Sequence, residues 1–194
     1  MRSILLHLAL TAALLLGLAL PPFPAAACVG KTLVVGSLET PEGRLVAQLL
    51  AILINERTGT TVKIADYPDP EALHRGLAAG DADIAVDFTG PALARLGLPV
   101  PPVGDEAYQA AKATYLERLN LVWLPRMGYA GNSGQVPADA APVARKDTLK
   151  KFPALPRLIA RTEGLLSDDV LRGLSGAGEP AKTAREFLRE KKLI

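Results

Sequence analysis

Short β-branched segments alternate with longer helical segments along the first half of this chain. Residues 32–36 form an apolar run that ends at a glycine, and residues 44–58 follow with apolar side chains at helical spacing. The order repeats with a strand at 61–65, a helix at 70–79 and a strand at 83–87. Strands that alternate with helices of about ten residues indicate βαβ units. We therefore expect an α/β fold with a short, mainly parallel sheet flanked by helices.

The second half of the chain has a different pattern of predicted elements. An amphipathic helix at 105–119 leads into a fourth strand at 121–124. Residues 125–141 contain two prolines and three glycines without apolar periodicity, which predicts a flexible connection. Residues 146–194 then predict three consecutive helices, with breaks near Gly164 and across 175–180 and with Ser167 at the start of the second.

The first 27 residues have the pattern of an export signal. Met1 and Arg2 give a short positive start, residues 4–20 are almost entirely apolar, and residues 21–27 end in small side chains before Cys28. This order is typical of a secretory signal peptide, whereas a retained membrane anchor would need a longer apolar run. We expect a signal peptide at 1–27, a single domain at 28–194 and a periplasmic or other extracytoplasmic location.

Cys28 is the only cysteine, so no intramolecular disulfide can form. It follows three alanines, and this position allows two interpretations. A bacterial lipoprotein is cut just before a cysteine that is then acylated, but such a site normally has Leu where this chain has Ala25. Ordinary signal peptidase also favours alanines here. Lipid attachment through Cys28 therefore stays an alternative to a soluble mature protein.

Composition excludes several classes of function. The net charge is only +2 and the basic residues are spread along the chain, which argues against a nucleic-acid partner. His74 is the one histidine outside the signal segment, so no cluster of His and Cys is available for a metal or a nucleophile. We expect no enzyme activity, no metal and no cofactor, and a His74 side chain that faces solvent or is hydrogen bonded.

Candidate ligand contacts follow the first and third strands. Ser37, Thr40 and Glu42 lie in the loop after the first strand, while Asp87, Phe88 and Thr89 end the third. In α/β sheets, ligands bind at the carboxyl ends of strands. Two structural alternatives remain open at this point: a helix cap at Thr40 followed by a first-turn proline, and a core position for Phe88.

The order of segments resembles a known family. The matching segments are TLVVGS, NERTG, EALHRGLAAGDADIAVDFTG and LVWLPRMGY, followed by a tail of helices from residue 140. They are similar to the glycine betaine/choline (quaternary-ammonium) substrate-binding proteins of ABC importers, over residues 31–131 and 140–194. The resemblance implies a type II periplasmic-binding-protein-like fold, a small quaternary-ammonium solute as ligand and ABC permease subunits as partners.

Family members resemble two-lobed clamps, and this chain is similar to one lobe. Residues 131–137 stand where the second lobe would be inserted, so we expect a single lobe with the second lobe missing there. The resemblance then leaves open a partner that supplies the second lobe, or self-association across the uncovered face.

The resemblance also carries the family's ligand contacts onto this chain. The family holds a trimethylammonium group among aromatic rings, and its Glu-Tyr-Thr-Gly-Thr turn corresponds to Asp87, Phe88, Thr89 and the next two residues. In the loop that corresponds to the family's first ligand loop, this chain keeps Ser37 and Glu42. It has Thr40 in place of an aromatic ring and Gly43 in place of a glutamine.

Four further positions lie near the implied site. Asp66 and Tyr67 fall near another family contact, and Trp123 and Tyr129 come from the strand that leaves the lobe, with core packing favoured for Trp123. The implied function is an exported solute-binding component with reduced or weak binding. The alternative is a non-transport interaction or structural module that kept the fold and lost the ligand.

Overall fold

The computed structural model describes residues 32–102, 104–130 and 138–194. In these ranges the chain forms one five-stranded sheet. The strands are β1 Leu33–Leu38, β2 Val62–Tyr67, β3 Ile84–Phe88, β4 Leu121–Trp123 and β5 Ala140–Arg145. The first four lie within two residues of their predicted ends.

The strand order is β2-β1-β3-β5-β4. β1 pairs in parallel with both β2 and β3, while β5 runs antiparallel to its neighbours β3 and β4. The β4–β5 pairing continues past the end of β4, because Met127 N donates to Ala140 O and Ala140 N donates to Tyr129 O, both at 2.9 Å. The predicted α/β fold with a mainly parallel sheet is confirmed.

The sequence-based assignment of the connection 125–141 was wrong at its end. Ala140 and Ala141 belong to β5, a strand that the sequence did not predict. Its segment AAPVAR contains a proline and three alanines, residue types that are depleted in strands, and so the pattern gave no strand signal. Burial between β3 and β4 overrides that weak propensity.

Helices cover both faces of the sheet. They are α1 Pro41–Thr58, α2 Pro70–Ala79, α3 Thr89–Arg95, α4 Gly104–Leu119, α5 Lys146–Lys151, α6 Leu155–Ile159, α7 Asp168–Ser175 and α8 Pro180–Glu190. α2 matches its predicted range. None of the helices in the described residues is both long enough and apolar enough to cross a membrane.

The C-terminal region confirms the break near Gly164 and the start at Ser167, whose side chain accepts from Val170 N. The first of the three predicted helices, however, is divided into α5, α6 and a short 3₁₀ turn. The division falls at Phe152, which precedes a proline and has φ −127° and ψ 71°. A following proline disfavours helical backbone at that residue.

Two apolar layers enclose the sheet. On one face α1 packs with the C-terminal helices, and its residues Leu45, Leu49 and Leu53 are at most 3% exposed. On the other face α2, α3 and α4 pack around Trp123, which is 1% exposed and meets Tyr108 and Tyr115 edge to face. The predicted core role of Trp123 is confirmed.

Three sequence-based predictions concern residues outside the described ranges. They are the signal peptide at 1–27, the acylation alternative at Cys28 and the second-lobe junction at 131–137. These stay predictions.

Candidate ligand-binding site

A cavity opens at the carboxyl ends of β1 and β3. The two strands are neighbours, but the helix after β1 packs on one face of the sheet and the helix after β3 packs on the other. The chain therefore leaves the two strands toward opposite faces of the sheet, and a crevice remains between the two connections. Such crevices form in α/β sheets where the strand order reverses. The cavity measures about 440 Å³, and a smaller one of about 80 Å³ adjoins it.

Two aromatic rings line both cavities. Phe88 ends β3, and Tyr129 follows β4; their ring centroids are 5.9 Å apart with an interplanar angle of 81°. Tyr129 is 6% exposed, and burial, reinforced by the nearby Asp168 carboxylate, raises its pKa above the usual phenol value. The phenol therefore stays protonated at neutral pH. Phe88 is partly buried against the core and also lines the cavity. It therefore combines the two predicted roles, a core position and a side chain at the cavity.

Charged side chains surround the rings. Glu42 lies in the first turn of α1, Asp87 near the end of β3, and Asp168 and Arg172 on α7. Arg172 donates to Asp169 at 2.8 Å, one residue beyond Asp168 along the same helix. The sequence predicted only the start of a helix at residues 167–169. The contribution of α7 to the site was not predicted.

Asp87 is neutralised from behind by Arg95. The Arg95 guanidinium donates to Asp87 at 2.9 Å, to Glu71 at 2.8 Å and to the Tyr115 hydroxyl at 2.9 Å. Burial by itself would lower the pKa of Arg95, but the Asp87 charge and the bond to Glu71 outweigh it and raise the pKa. Asp87 also accepts from Phe88 N at 2.8 Å, which orients its carboxylate beside the ring.

The loop before α1 has both a structural and a cavity-facing role. Thr40 Oγ1 accepts from Gly43 N at 3.0 Å and Pro41 opens the helix, so the capping alternative is confirmed. Thr40 nevertheless lines the cavity as well. A Cβ at Gly43 would lie 2.6 Å from Leu38 O, which explains why this position has no side chain.

The predicted site residues therefore divide into two groups. Thr40, Glu42, Asp87 and Phe88 line the main cavity. The other four line neither this cavity nor the smaller one beside it.

Each of the other four has a different environment. Ser37 is buried and donates to Leu38 O, while Thr89 is buried and its Oγ1 accepts from Asp139 N at 3.0 Å. Asp66 and Tyr67 lie on β2 at the edge of the sheet, where the Tyr67 ring packs against the second apolar layer.

His74 differs from its predicted environment. It is half-buried on α2, its ring meets Tyr115 edge to face at 5.7 Å, and its buried Nδ1 has no partner among the described residues. The expectation of a solvent-facing or hydrogen-bonded histidine was wrong, because α2 turns this side chain toward α4 and Arg95. Burial, followed by the Arg95 charge, lowers the pKa of His74.

Metal chemistry has no counterpart in the described part of the chain. No group of three His, Cys, Asp or Glu side chains there lies close enough to hold an ion.

The sheet, its two helical layers and the crevice at the strand ends define a lobe of the periplasmic-binding-protein class. Over residues 31–136, the sequence matches the family model described as the substrate binding domain of ABC-type glycine betaine transport systems. That match covers more than half of the chain, and the chain belongs to this family.

A relative and two solved structures are similar to this chain. The carnitine transport binding protein OpuCC of Listeria monocytogenes is 29% identical over 130 residues, which are 62% of this chain and 38% of that protein. This chain thus spans well under half the length of that relative.

The solved structures show the fold. A glycine betaine/carnitine/choline ABC transporter structure aligns with a TM-score of 0.78 at 15% identity, over 84% of this chain and 99% of that chain. YehZ of Escherichia coli aligns with a TM-score of 0.75 at 13% identity, over 85% of this chain and 100% of that chain. The predicted periplasmic-binding-protein-like fold is confirmed.

Proposed function

We propose that this chain is the exported solute-binding component of an ABC-type transport system for small quaternary-ammonium solutes, and that it binds them weakly. The observation that carries the proposal is the crevice at the strand ends, where Phe88 and Tyr129 stand among carboxylates in a member of this family. Rings and carboxylates are the groups that attract a methylated ammonium ion.

The expected affinity follows from the number of rings. A ring face attracts such a cation by roughly 0.5 to 2 kcal/mol, with the larger values in dry sites. Two rings in an open cavity of about 440 Å³ leave much of the cation in contact with water. Millimolar binding needs only about 4 kcal/mol, which two rings and a favourable charge can supply.

Export completes the proposal. The signal-peptide pattern at 1–27 would deliver the lobe to the periplasm or another extracytoplasmic space, with acylation of Cys28 as an alternative that would tether it to the membrane. ABC permease subunits are the proposed partners. A second lobe, proposed to be missing at 131–137, would have to come from a partner protein or from a second copy.

One observation favours the alternative, an interaction module that kept the fold and lost the ligand. The hydroxyls of Thr40 and Thr89 already accept backbone N–H groups, and that of Ser37 already binds a backbone carbonyl. Thr40 also stands where the family has an aromatic ring. Fewer hydroxyls and rings are therefore available to contact a ligand than the family resemblance implied.

Calorimetric titration of the purified protein with glycine betaine, choline and carnitine up to about 10 mM separates the two functions, because that range covers millimolar dissociation constants. We expect a saturable signal for at least one solute. The variant Phe88→Leu should weaken it, because it removes a cavity ring. Phe187→Leu removes an equally apolar ring from α8, outside the cavity, and should not.

A folded protein without any response at these concentrations would overturn the transport proposal and favour the interaction module. Tight binding that appears only after a second exported protein is added would identify a receptor divided between two chains.

A further inference from the structure

Basic side chains gather at the end of the lobe that lies opposite the crevice. We propose that this basic cluster is a docking surface for anionic phospholipid headgroups, which would hold the lobe with its crevice directed away from the membrane. The cluster consists of Arg57, Arg161, Lys191 and Lys192, all of them exposed. The proposal goes beyond solute binding and does not depend on it.

Hydrogen bonds to the last turn of the chain bring the cluster together. Arg57, in the last turn of α1, donates through Nε to Leu193 O. Arg161, in the 3₁₀ turn Ala160–Thr162, donates through Nη2 to Lys192 O at 3.2 Å. Two guanidinium groups from distant parts of the chain are therefore fixed beside the two lysines.

The charge of the cluster is largely unpaired within the lobe. Among the residues that the structure describes, no carboxylate forms an ion pair with Arg57, Arg161 or Lys192. Lys191 binds only the neighbouring Glu190, in an exposed pair at 3.0 Å. Each of the two guanidinium groups uses one nitrogen for the chain itself, so its other nitrogens can donate to a phosphate, the anion that arginine binds through two parallel bonds.

The helix α1 separates the basic cluster from the crevice. Glu42 in the first turn of α1 lines the crevice, and Arg57 lies about 22 Å further along the helix at 1.5 Å per residue. A membrane surface at the cluster would therefore leave the crevice open to solutes.

The amino end of the sheet lies at the same end of the lobe. Leu33 N, at the start of β1, donates to Thr61 O at 2.9 Å, and Asn55 in the last turn of α1 donates to Thr60 O at 3.0 Å. Cys28 precedes Leu33 by five positions in the sequence, which span at most about 18 Å. Acylation of Cys28 would thus anchor the chain at the end that carries the cluster, and a lipid chain combined with a basic patch gives stable membrane binding.

Vesicle binding tests this surface. The experiment uses the mature form, residues 28–194, with Cys28→Ser so that no acyl chain contributes, and cooperative urea unfolding verifies that it is folded. We expect it to sediment with phosphatidylcholine vesicles that contain about 30% phosphatidylglycerol, and not with pure phosphatidylcholine. Arg57→Gln and Lys192→Gln should each weaken binding about fivefold, the contribution of one basic residue near an anionic surface. Salt at about 0.5 M should abolish binding, because it screens these charges.

Two further variants separate charge from structure. Arg57→Lys loses the planar group that bonds Leu193 O but keeps the positive charge, so it should retain most of the binding that Arg57→Gln loses. Arg44→Gln is the matched control, because Arg44 is an exposed cation near the other end of the same helix and forms no ion pair with the described residues. It should leave vesicle binding unchanged.

The outcomes distinguish the proposal from its alternatives. Equal sedimentation of the folded protein with both kinds of vesicle, or with neither, would overturn it and favour an acidic protein surface as the partner of the cluster. Equal losses in Arg44→Gln and Arg57→Gln would also overturn it, because binding would then follow net charge rather than this cluster. Solute titration is independent of these results, so their failure leaves the proposed function standing.

Discussion

The guanidinium of Arg95 and the carboxylate of Asp87 form an ion pair at 2.9 Å directly behind the cavity, and only 8% and 13% of the two side chains are exposed. Asp87 faces the cavity on one side and this cation on the other. The pair therefore connects the candidate site with the packing of α2, α3 and α4.

Breaking this pair should cost stability. Arg95→Met leaves the Asp87 carboxylate almost buried without its cation, and we expect about 3 kcal/mol lower free energy of unfolding. Urea denaturation measures the change. Arg172→Met is the control, because its pair with Asp169 is 71% and 90% exposed and should contribute at most about 1 kcal/mol. Similar losses of stability in both variants would contradict a larger contribution from the buried Arg95–Asp87 pair than from the exposed Arg172–Asp169 pair.

Stability should fall as the pH is lowered through the titration range of His74. Its pKa in the folded protein lies below the ordinary 6.5, because of burial and then of the Arg95 charge, with Arg75 adding to and Asp87 and Glu71 opposing the shift. Between the two pKa values the unfolded chain binds more protons. The contribution of neutral His74 to the free energy of unfolding is therefore complete above pH 6.5, and it is lost as the pH falls below that value.

The measurement is the urea midpoint at about pH 7.5 and about pH 5.5, on either side of the ordinary histidine pKa. His74→Gln cannot titrate in this range and should lose less stability on acidification than the original protein. An identical pH dependence of the two proteins would exclude His74 as its source.

Thr89 should prove structural rather than ligand-binding. Thr89→Val keeps the side-chain shape but leaves Asp139 N without its acceptor, at an expected cost of about 1 to 3 kcal/mol. Choline binding should persist, since Thr89 lines none of the described cavities. Thr61→Val, at an exposed threonine, should change stability by less than about 0.5 kcal/mol. Loss of binding in stable Thr89→Val would restore Thr89 to the site.

Gly43 should not accept a side chain. Gly43→Ala would place a Cβ 2.6 Å from Leu38 O and 2.8 Å from Leu38 Cβ, and the backbone would have to shift. We expect a loss of about 1 to 3 kcal/mol. Gly173→Ala on α7 meets nothing within 4 Å and should raise the thermal midpoint slightly, because alanine favours helix. A Gly43→Ala variant of undiminished stability would contradict this account.

The sequence predicted most of the fold because its strongest signals are periodic. The helix α2 was predicted to the residue from its apolar spacing and the proline at its start, and the structure adds Asp69 as its cap. β5 was missed because its proline and alanines carry no strand preference, and only its place between β3 and β4 makes it a strand. Local patterns do not encode that placement.

The candidate site was predictable only in part. Thr40, Glu42, Asp87 and Phe88 were found because the carboxyl ends of parallel strands meet at one edge of the sheet. The α7 side chains were not, because only the packing of α7 against α1 brings them to the cavity from far along the chain. Ser37 and Thr89 looked like ligand contacts, but their hydroxyls satisfy backbone groups instead.

The backbone pairing of Tyr129 with Ala140 has a practical consequence for protein engineering. The two ends of the stretch 131–137 are held side by side by hydrogen bonds of 2.9 Å. A foreign domain whose own termini are adjacent, such as a circularly permuted fluorescent protein, would therefore fit between residues 130 and 138 without a change in strand register. Because Tyr129 also lines the cavity, such a fusion would place the inserted domain directly beside the crevice.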